Sequence, residues 1–268
     1  MFKRIRLISF DITKTLISPS NDIGSEYLKV AQKVGLKPNS PDLSTKLTQS
    51  FSKNFTKINK EFPNFGLEMN MTAEQWWSRL VHSTFVDVGY DQLNDRTKLE
   101  QISEQLYERY SRGNCWHLHD HVRDLLSKLR KEKPEIILAV ASNFDGRLET
   151  ILRDLDVRHY FNYMFISHEC RLAKPDTRFY EHILQTVEID PKDYLHIGND
   201  LEHDYLPVKR IKANAMLIVN PNDKTQSAMI EKKSDINTED IIIFSLTQRL
   251  IVKQNFGLEN SSLLNPQK

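Results

Sequence analysis

Five short apolar runs constrain the fold more than any other feature of the chain: IRLISF (5–10), IILAVAS (136–142), YMFIS (163–167), YLHIG (194–198) and AMLIV (215–219). They are rich in β-branched residues and lack the polar alternation of a half-exposed strand, so each reads as a strand covered on both faces. Between the later runs lie HVRDLLSKLR, GRLETILRDL and RFYEHILQTV, which repeat apolar residues at three- and four-residue spacing, as helices with one buried face do. Strand and helix in alternation predict an α/β fold, a doubly wound parallel sheet.

Residues 11–135 separate the first run from the second, far more than a crossover helix needs. The surplus predicts an inserted domain, and its pattern is helical: EYLKVAQKVG closed by Gly35, LSTKLTQSFSKNFTKI, TAEQWWSRLVHSTFVDVG opened by Thr72 with Gln75 three residues on, and KLEQISEQLYERYS. The expected division is a core segment at 1–17, a helical cap at 18–114, the rest of the core at 115–250, and a polar, loose tail at 251–268. Within the cap, EFPNFGLEMN reads as the one long ordered loop.

Composition excludes several classes of function. Of 268 residues, 37 are Lys or Arg and 36 are Asp or Glu, a net charge of +1, which gives no field for nucleic acid or an anionic membrane. No run approaches the roughly 18 apolar residues of a membrane span, and MFKRIRLISF reaches its strand too soon for a signal peptide. Cys115 and Cys170 are too few for a disulfide framework or a structural zinc site. The expectation is a soluble protein of the cytoplasm or nucleus, with the sequons at Asn54, Asn70 and Asn260 as chance matches.

Ligands of an open parallel sheet gather at the carboxyl ends of its strands, and here those ends are polar. The first strand delivers Asp11 and Thr15, the second Ser142 and Asn143, and the fourth Asn199, Asp200 and Asp204; the loop after the third brings Lys174. One carboxylate can attack, a hydroxyl and an ammonium can neutralise developing charge, and a carboxylate pair can hold a hard cation such as Mg2+.

The order D-x-x-x-T-L, S-N, K-P-D and G-(x)5-D, over about residues 5–250, resembles that of the haloacid dehalogenase-like superfamily, and the helical insertion after the first motif resembles its C1 cap class. The resemblance implies a Rossmann-like core and a Mg2+-dependent, phosphatase-like hydrolase acting on a small phosphorylated metabolite. It implies that Asp11 is a nucleophile forming an aspartyl intermediate and that the Thr13 backbone carbonyl is a metal ligand. Ser142 and Asn143 would hold the transferred group, Thr15 would bind it through its hydroxyl, Lys174 would steady its charge, and Asp204 would help hold Mg2+.

Two positions depart from the phosphatase pattern. Thr13 stands where an aspartate would serve as general acid and base, and a threonine hydroxyl exchanges no proton near neutral pH, a loss of about 10²- to 10⁴-fold. Asn199 stands where an aspartate would bind the metal, which lowers the charge of the site; Asp200 next door is the candidate to substitute. These departures keep two rivals open: a metal-independent dehalogenase, and a binding protein on a hydrolase fold without turnover.

Outside the motifs, Asn64 and Phe65 of the cap loop are expected to contact substrate, because an ordered cap loop facing the strand ends is where specificity sits. HLHDH (117–121) has the letters of a metal site but not a helix-face spacing, and reads as a solvated linker. Trp76 and Trp77 cannot share a helix face, so one belongs to the cap core and the other is free to overlie the site.

Overall fold

The computed structural model describes residues 5–90, 93–219 and 240–243. Strand β1 (Leu7–Phe10) is buried throughout. A tight coil follows, then β2 (Ile17–Pro19), from which the chain leaves for the cap: α1 (Ile23–Lys33), α2 (Leu43–Glu61), the single turn α3 (Pro63–Gly66), α4 (Ala73–Val86) and α5 (Leu93–Arg109). It returns through β3 (Trp116–Leu118), antiparallel to β2 with Ile17 opposite Leu118 and Pro19 opposite Trp116. The core then runs α6 (Val122–Glu132), β4 (Ile137–Ser142), α7 (Arg147–Asp154), β5 (Tyr163–Ile166), α8 (Ser167–Cys170), α9 (Thr177–Val187), β6 (Tyr194–Gly198), α10 (Leu206–Arg210), β7 (Asn214–Val219) and β8 (Ile241–Ile243).

The sheet is six-stranded and parallel, in the order β5-β4-β1-β6-β7-β8. Both faces are covered, which is why its strands are apolar without alternation. Ile8, Phe10, Leu138 and Val140 pack on one side with Leu126 of α6 and Ile151 of α7. Leu7, Ala139 and Ala215 pack on the other with Phe179 and Ile183 of α9 and Val208 of α10. After β5 the chain crosses back over β1 to reach β6, so the strand order reverses beside β1, and the carboxyl ends of β4, β1 and β6 lie side by side where a ligand crevice forms.

The cap has its own apolar centre. Tyr27, Val30, Leu47, Phe85 and Ile102 form one cluster, and Ile58, Phe65, Trp76 and Leu80 a second. Thr72 and Gln75 close a reciprocal capping box at the start of α4, as their spacing predicts. The buried Glu26 carboxylate accepts from Arg109 Nε at 2.7 Å and ties α1 to the end of α5.

One expectation is corrected here. His117 and Leu118, read as part of a solvated linker, lie in the strand Trp116–Leu118, which with β2 makes the hairpin that carries the helical insertion. His119 Nε2 lies 2.7 Å from Ser18 Oγ, the His117 and His119 rings lie 5.4 Å apart, and His121 begins α6 with φ 64°. A sixth strand, β8, had no counterpart in the sequence reading, and the tail at 251–268 lies outside the described residues. Among the described residues no helix is long and apolar enough to cross a membrane.

Candidate active site

Asp11 follows β1 directly, its backbone N–H still donating to Ile197 O of β6 at 2.9 Å. The coil that follows closes on one oxygen: Ile12 O accepts from the N–H groups of Thr15, Leu16 and Ile17 at 3.2, 2.8 and 3.0 Å. Lys14, exposed and at φ 64°, supplies the left-handed residue that so tight a turn requires. Thr15 is thereby folded back, its Oγ1 3.4 Å from Asp11 Oδ2 and 3.1 Å from Asn199 Oδ1.

The other oxygen of Asp11 is held more closely. Oδ1 accepts from Lys174 Nζ at 2.7 Å and from Ser142 Oγ, at the end of β4, at 3.2 Å. Lys174 Nζ also donates to Asp204 Oδ1 at 2.6 Å, so one buried ammonium bridges two buried carboxylates. Asn143 fixes the base of that lysine: its Nδ2 donates to Lys174 O at 2.8 Å and its Oδ1 accepts from Lys174 N at 2.9 Å. Asn143 was expected to hold the transferred group; one hydrogen of its amide and its oxygen go to the Lys174 backbone.

Asp204 reaches the lysine because the chain makes one wide turn, Leu201–Tyr205, and lays it over Gly198. A Cβ on Gly198 would lie 2.3 Å from Asp204 Cγ, so only glycine fits. Asp204 also receives Asp200 N–H on Oδ2 at 2.9 Å and approaches His196 Nε2 at 3.3 Å through Oδ1. Burial opposes its charge, but Lys174 and His196 outweigh burial and hold its pKa well below the usual carboxylate range. Asp11 shifts the other way, raised because burial and the Asp204 charge outweigh its share of the lysine. Burial would lower the Lys174 pKa, yet the two carboxylates raise it. Two carboxylates and one ammonium leave the cluster one negative charge, an arrangement that accepts a cation.

Whether the residues fit a hard cation is decided by their donors. Asp11 Oδ2 and Asn199 Oδ1 both face Thr15 Oγ1, and the Thr13 carbonyl belongs to the same coil. A carboxylate, an amide oxygen and a backbone carbonyl suit Mg2+ in kind, at low total charge. Both Asp204 oxygens are already engaged, which places it behind the lysine. Asp200 is corrected outright: Oδ1 of its half-exposed carboxylate accepts from Glu202 N and His203 N and pairs with His203 Nδ1 at 3.0 Å, so it caps the wide turn. Among the described residues there is no group of three His, Cys, Asp or Glu that could hold a metal.

Two contacts between the cap and the core lie beside β4 and β5. Asn64 Nδ2 donates to Ser167 O at 2.9 Å, and Ser167 Oγ donates to Asn64 Oδ1 at 2.8 Å. Asn64 and Phe65, expected to touch substrate, sit at this seam: the Asn64 amide bonds Ser167 through both its nitrogen and its oxygen, and Phe65 packs edge-on against Trp76 and His168. Of the tryptophans, Trp76 is buried in the cap and Trp77 crosses the seam, its Nε1 donating to Asp145 Oδ2 at 2.9 Å. Arg147 grips Asp145 through Nε and Nη2 at 2.8 and 2.7 Å, its guanidinium 4.4 Å from the Tyr107 ring and 4.8 Å from that of Trp77. Asp145 and Arg147 went unnoticed in sequence, where Asp-Gly reads as a turn; an acid two residues before an arginine, just past the second apolar run, was the available signal.

Comparison with known proteins places these features in a wider set. The family described as haloacid dehalogenase-like hydrolase matches residues 5–211. Haloacid dehalogenase-like hydrolase domain-containing protein 3 of Bos taurus is 31% identical over 218 residues, 81% of this chain and 83% of its own. The Rhythmically expressed gene 2 protein of Drosophila melanogaster is 31% identical over 250 residues, 91% of this chain and 93% of its own. Among solved structures, the magnesium-bound HAD-hydrolase YfnB of Bacillus subtilis superposes with a TM-score of 0.59 at 19% identity, covering 81% of this chain and 89% of that one.

Proposed function

The chain belongs to the haloacid dehalogenase-like hydrolases, and from that premise we propose that it is a phosphatase-like enzyme acting on a small phosphorylated metabolite through an aspartyl intermediate, slowly. The observation that carries this reading is the bridged pair, Lys174 Nζ at 2.7 Å from Asp11 and 2.6 Å from Asp204, with Ser142 on the same Asp11 oxygen.

In this reading Asp11 attacks phosphorus in line and the bond to the leaving oxygen breaks. The Lys174 ammonium and the Ser142 hydroxyl, already beside Asp11, receive the charge that gathers on the phosphoryl oxygens. The Thr13 side chain offers the leaving group no proton, and later gives attacking water no base, so both half-reactions run without a shuttle. Mg2+, when bound through Asp11, the Thr13 carbonyl and Asn199, would supply further positive charge at the phosphoryl group. The cap seam, held by Asn64 and Trp77, keeps bulk water from the intermediate.

The test is phosphate release from a panel of phosphorylated metabolites, with and without Mg2+, by the wild type, Asp11→Asn and Thr13→Asp. The expected result is slow, Mg2+-stimulated release that Asp11→Asn abolishes and Thr13→Asp accelerates, by about tenfold or more. No release by either the wild type or Thr13→Asp would sink the reading. A second reading rests on Asn199, a neutral residue where the metal would want charge: carbon–halogen hydrolysis without metal, for which halide release insensitive to chelator is the sign.

A further inference from the structure

Strand β6 carries a group that the proposed chemistry does not use. His196 is fully buried in the middle of YLHIG, and both its ring nitrogens are engaged. Nδ1 lies 2.7 Å from Ser9 Oγ, and Nε2 lies 3.3 Å from Asp204 Oδ1. Ser9 Oγ in turn lies 2.6 Å from the Tyr194 hydroxyl. The sheet makes this juxtaposition: Ser9 and His196 are partners across β1 and β6, and Tyr194 and His196, two apart, share a strand face. The Tyr180 ring meets the imidazole edge-on with centroids 5.1 Å apart and fixes its plane.

Counting protons gives the chain a direction. Asp204 is an anion that can only accept, so the nitrogen facing it, Nε2, carries hydrogen. At the other end, the buried Tyr194 hydroxyl has Ser9 Oγ as its partner and donates its hydrogen there, which leaves the Ser9 hydrogen for the imidazole. Nδ1 therefore accepts, from Ser9, and the Ser9 oxygen accepts from the Tyr194 hydroxyl. Every donor is used once, and no buried side-chain polar atom of Tyr194, Ser9 or His196 is left without a partner.

We propose that the Tyr194–Ser9–His196 chain locks the imidazole as its Nε2–H tautomer and so positions Asp204, and through it the Lys174 ammonium, against Asp11. His196 is a positioning residue, and its importance for turnover rests on Asp11 and Lys174 being the reacting pair. The opposite tautomer would turn a nitrogen lone pair toward the Asp204 carboxylate and push away the oxygen that holds Lys174.

Two measurements test this. The first needs no substrate: long-range proton–nitrogen correlation NMR of protein labelled with ¹⁵N-histidine, with the His196 signals assigned by their loss in His196→Gln. The expected spectrum has Nε2 protonated and Nδ1 bare, and Ser9→Ala moves the ring toward the other tautomer. A wild-type ring protonated on Nδ1 at neutral pH, alone or together with Nε2, overturns the proposal. The second measures kcat and KM on p-nitrophenyl phosphate. His196→Phe keeps the ring that packs on Tyr180 but loses the N–H, and is expected to lower kcat about ten- to a hundredfold with KM unchanged, while His196→Gln, whose amide restores a donor, recovers most of the rate. Equal losses in the two variants, or loss in neither, argue for packing alone and against positioning. A wild type with the expected tautomer and no turnover on any phosphate removes the phosphatase reading and leaves the tautomer assignment standing. Should His196→Phe fail to fold, His196→Gln and Ser9→Ala carry both measurements.

Discussion

Gly198 shows how closely the site is fitted. The space its side chain would fill belongs to the carboxylate of Asp204. Gly198→Ala is expected to cost about 1–3 kcal/mol, as overpacking of a filled site does, and to lower kcat by moving Asp204 off Lys174. Denaturant midpoints read the first effect and steady-state kinetics the second. At this scale the acids and hydroxyls were legible because polar letters at the ends of apolar runs stand out. His196, Ser9 and Tyr194 were not, because a polar residue inside such a run has meaning only once the strands are in register, and Ser9 meets its histidine 187 residues away. Asp200 and Asp204 could not be sorted by spacing either: the wide turn at Leu201–Tyr205 decides which carboxylate faces the lysine and which caps the chain.

The elements meet at a seam with two fastenings of different chemistry. At the polar one, Ser167→Ala removes the hydroxyl that donates to Asn64 Oδ1 at 2.8 Å and to Phe144 O at 3.3 Å, and is expected to cost about 1 kcal/mol. Asn64→Ala removes both bonds to Ser167 and puts an alanine at φ 47°, for about 2 kcal/mol or more. If Asn64 acts only as a latch, the two variants shift KM in parallel; a KM that moves with Asn64→Ala alone would make it a substrate contact. The charged fastening depends on pH. Burial would raise the Asp145 pKa, but the Arg147 and Trp77 hydrogen bonds hold it below the ordinary value. A depressed folded pKa stabilises above the unfolded value of about 4, and that stability is lost as pH falls through the folded value. Asp145→Asn is therefore expected to lower stability by about 3 kcal/mol at pH 7, and thermal melts should show the gap closing as the pH drops below about 4. The cap helices were readable because each carries its own periodicity and, at Thr72, its own stop signal. The hairpin was not, since three-residue strands hold too few letters for a pattern and pair across about a hundred residues of cap.

Over the whole molecule, the parallel sheet and the helices inserted between β2 and β3 each enclose their own apolar clusters, and the insertion was legible because the first two apolar runs stand too far apart for one crossover helix. What joins them is narrow. The ladder between β2 and β3 continues at both ends, from His119 N to Leu16 O at 2.9 Å and from Ser20 N to Cys115 O at 2.8 Å. The cap therefore departs and comes back across neighbouring strands, about 5 Å apart. Topologically it stands where a hairpin turn would, and the core need not know how many residues fill that turn. A chain in which a short glycine-containing turn joins Ser20 to Cys115 is expected to retain the parallel sheet and the Lys174 bridge, to be seen by circular dichroism and by retained sensitivity to Asp11→Asn. It would also exchange the choosiness of a closed site for tolerance, releasing phosphate from esters too bulky to fit beneath the cap. The hairpin is thus a socket, through which one core can be fitted with different lids and so given different appetites.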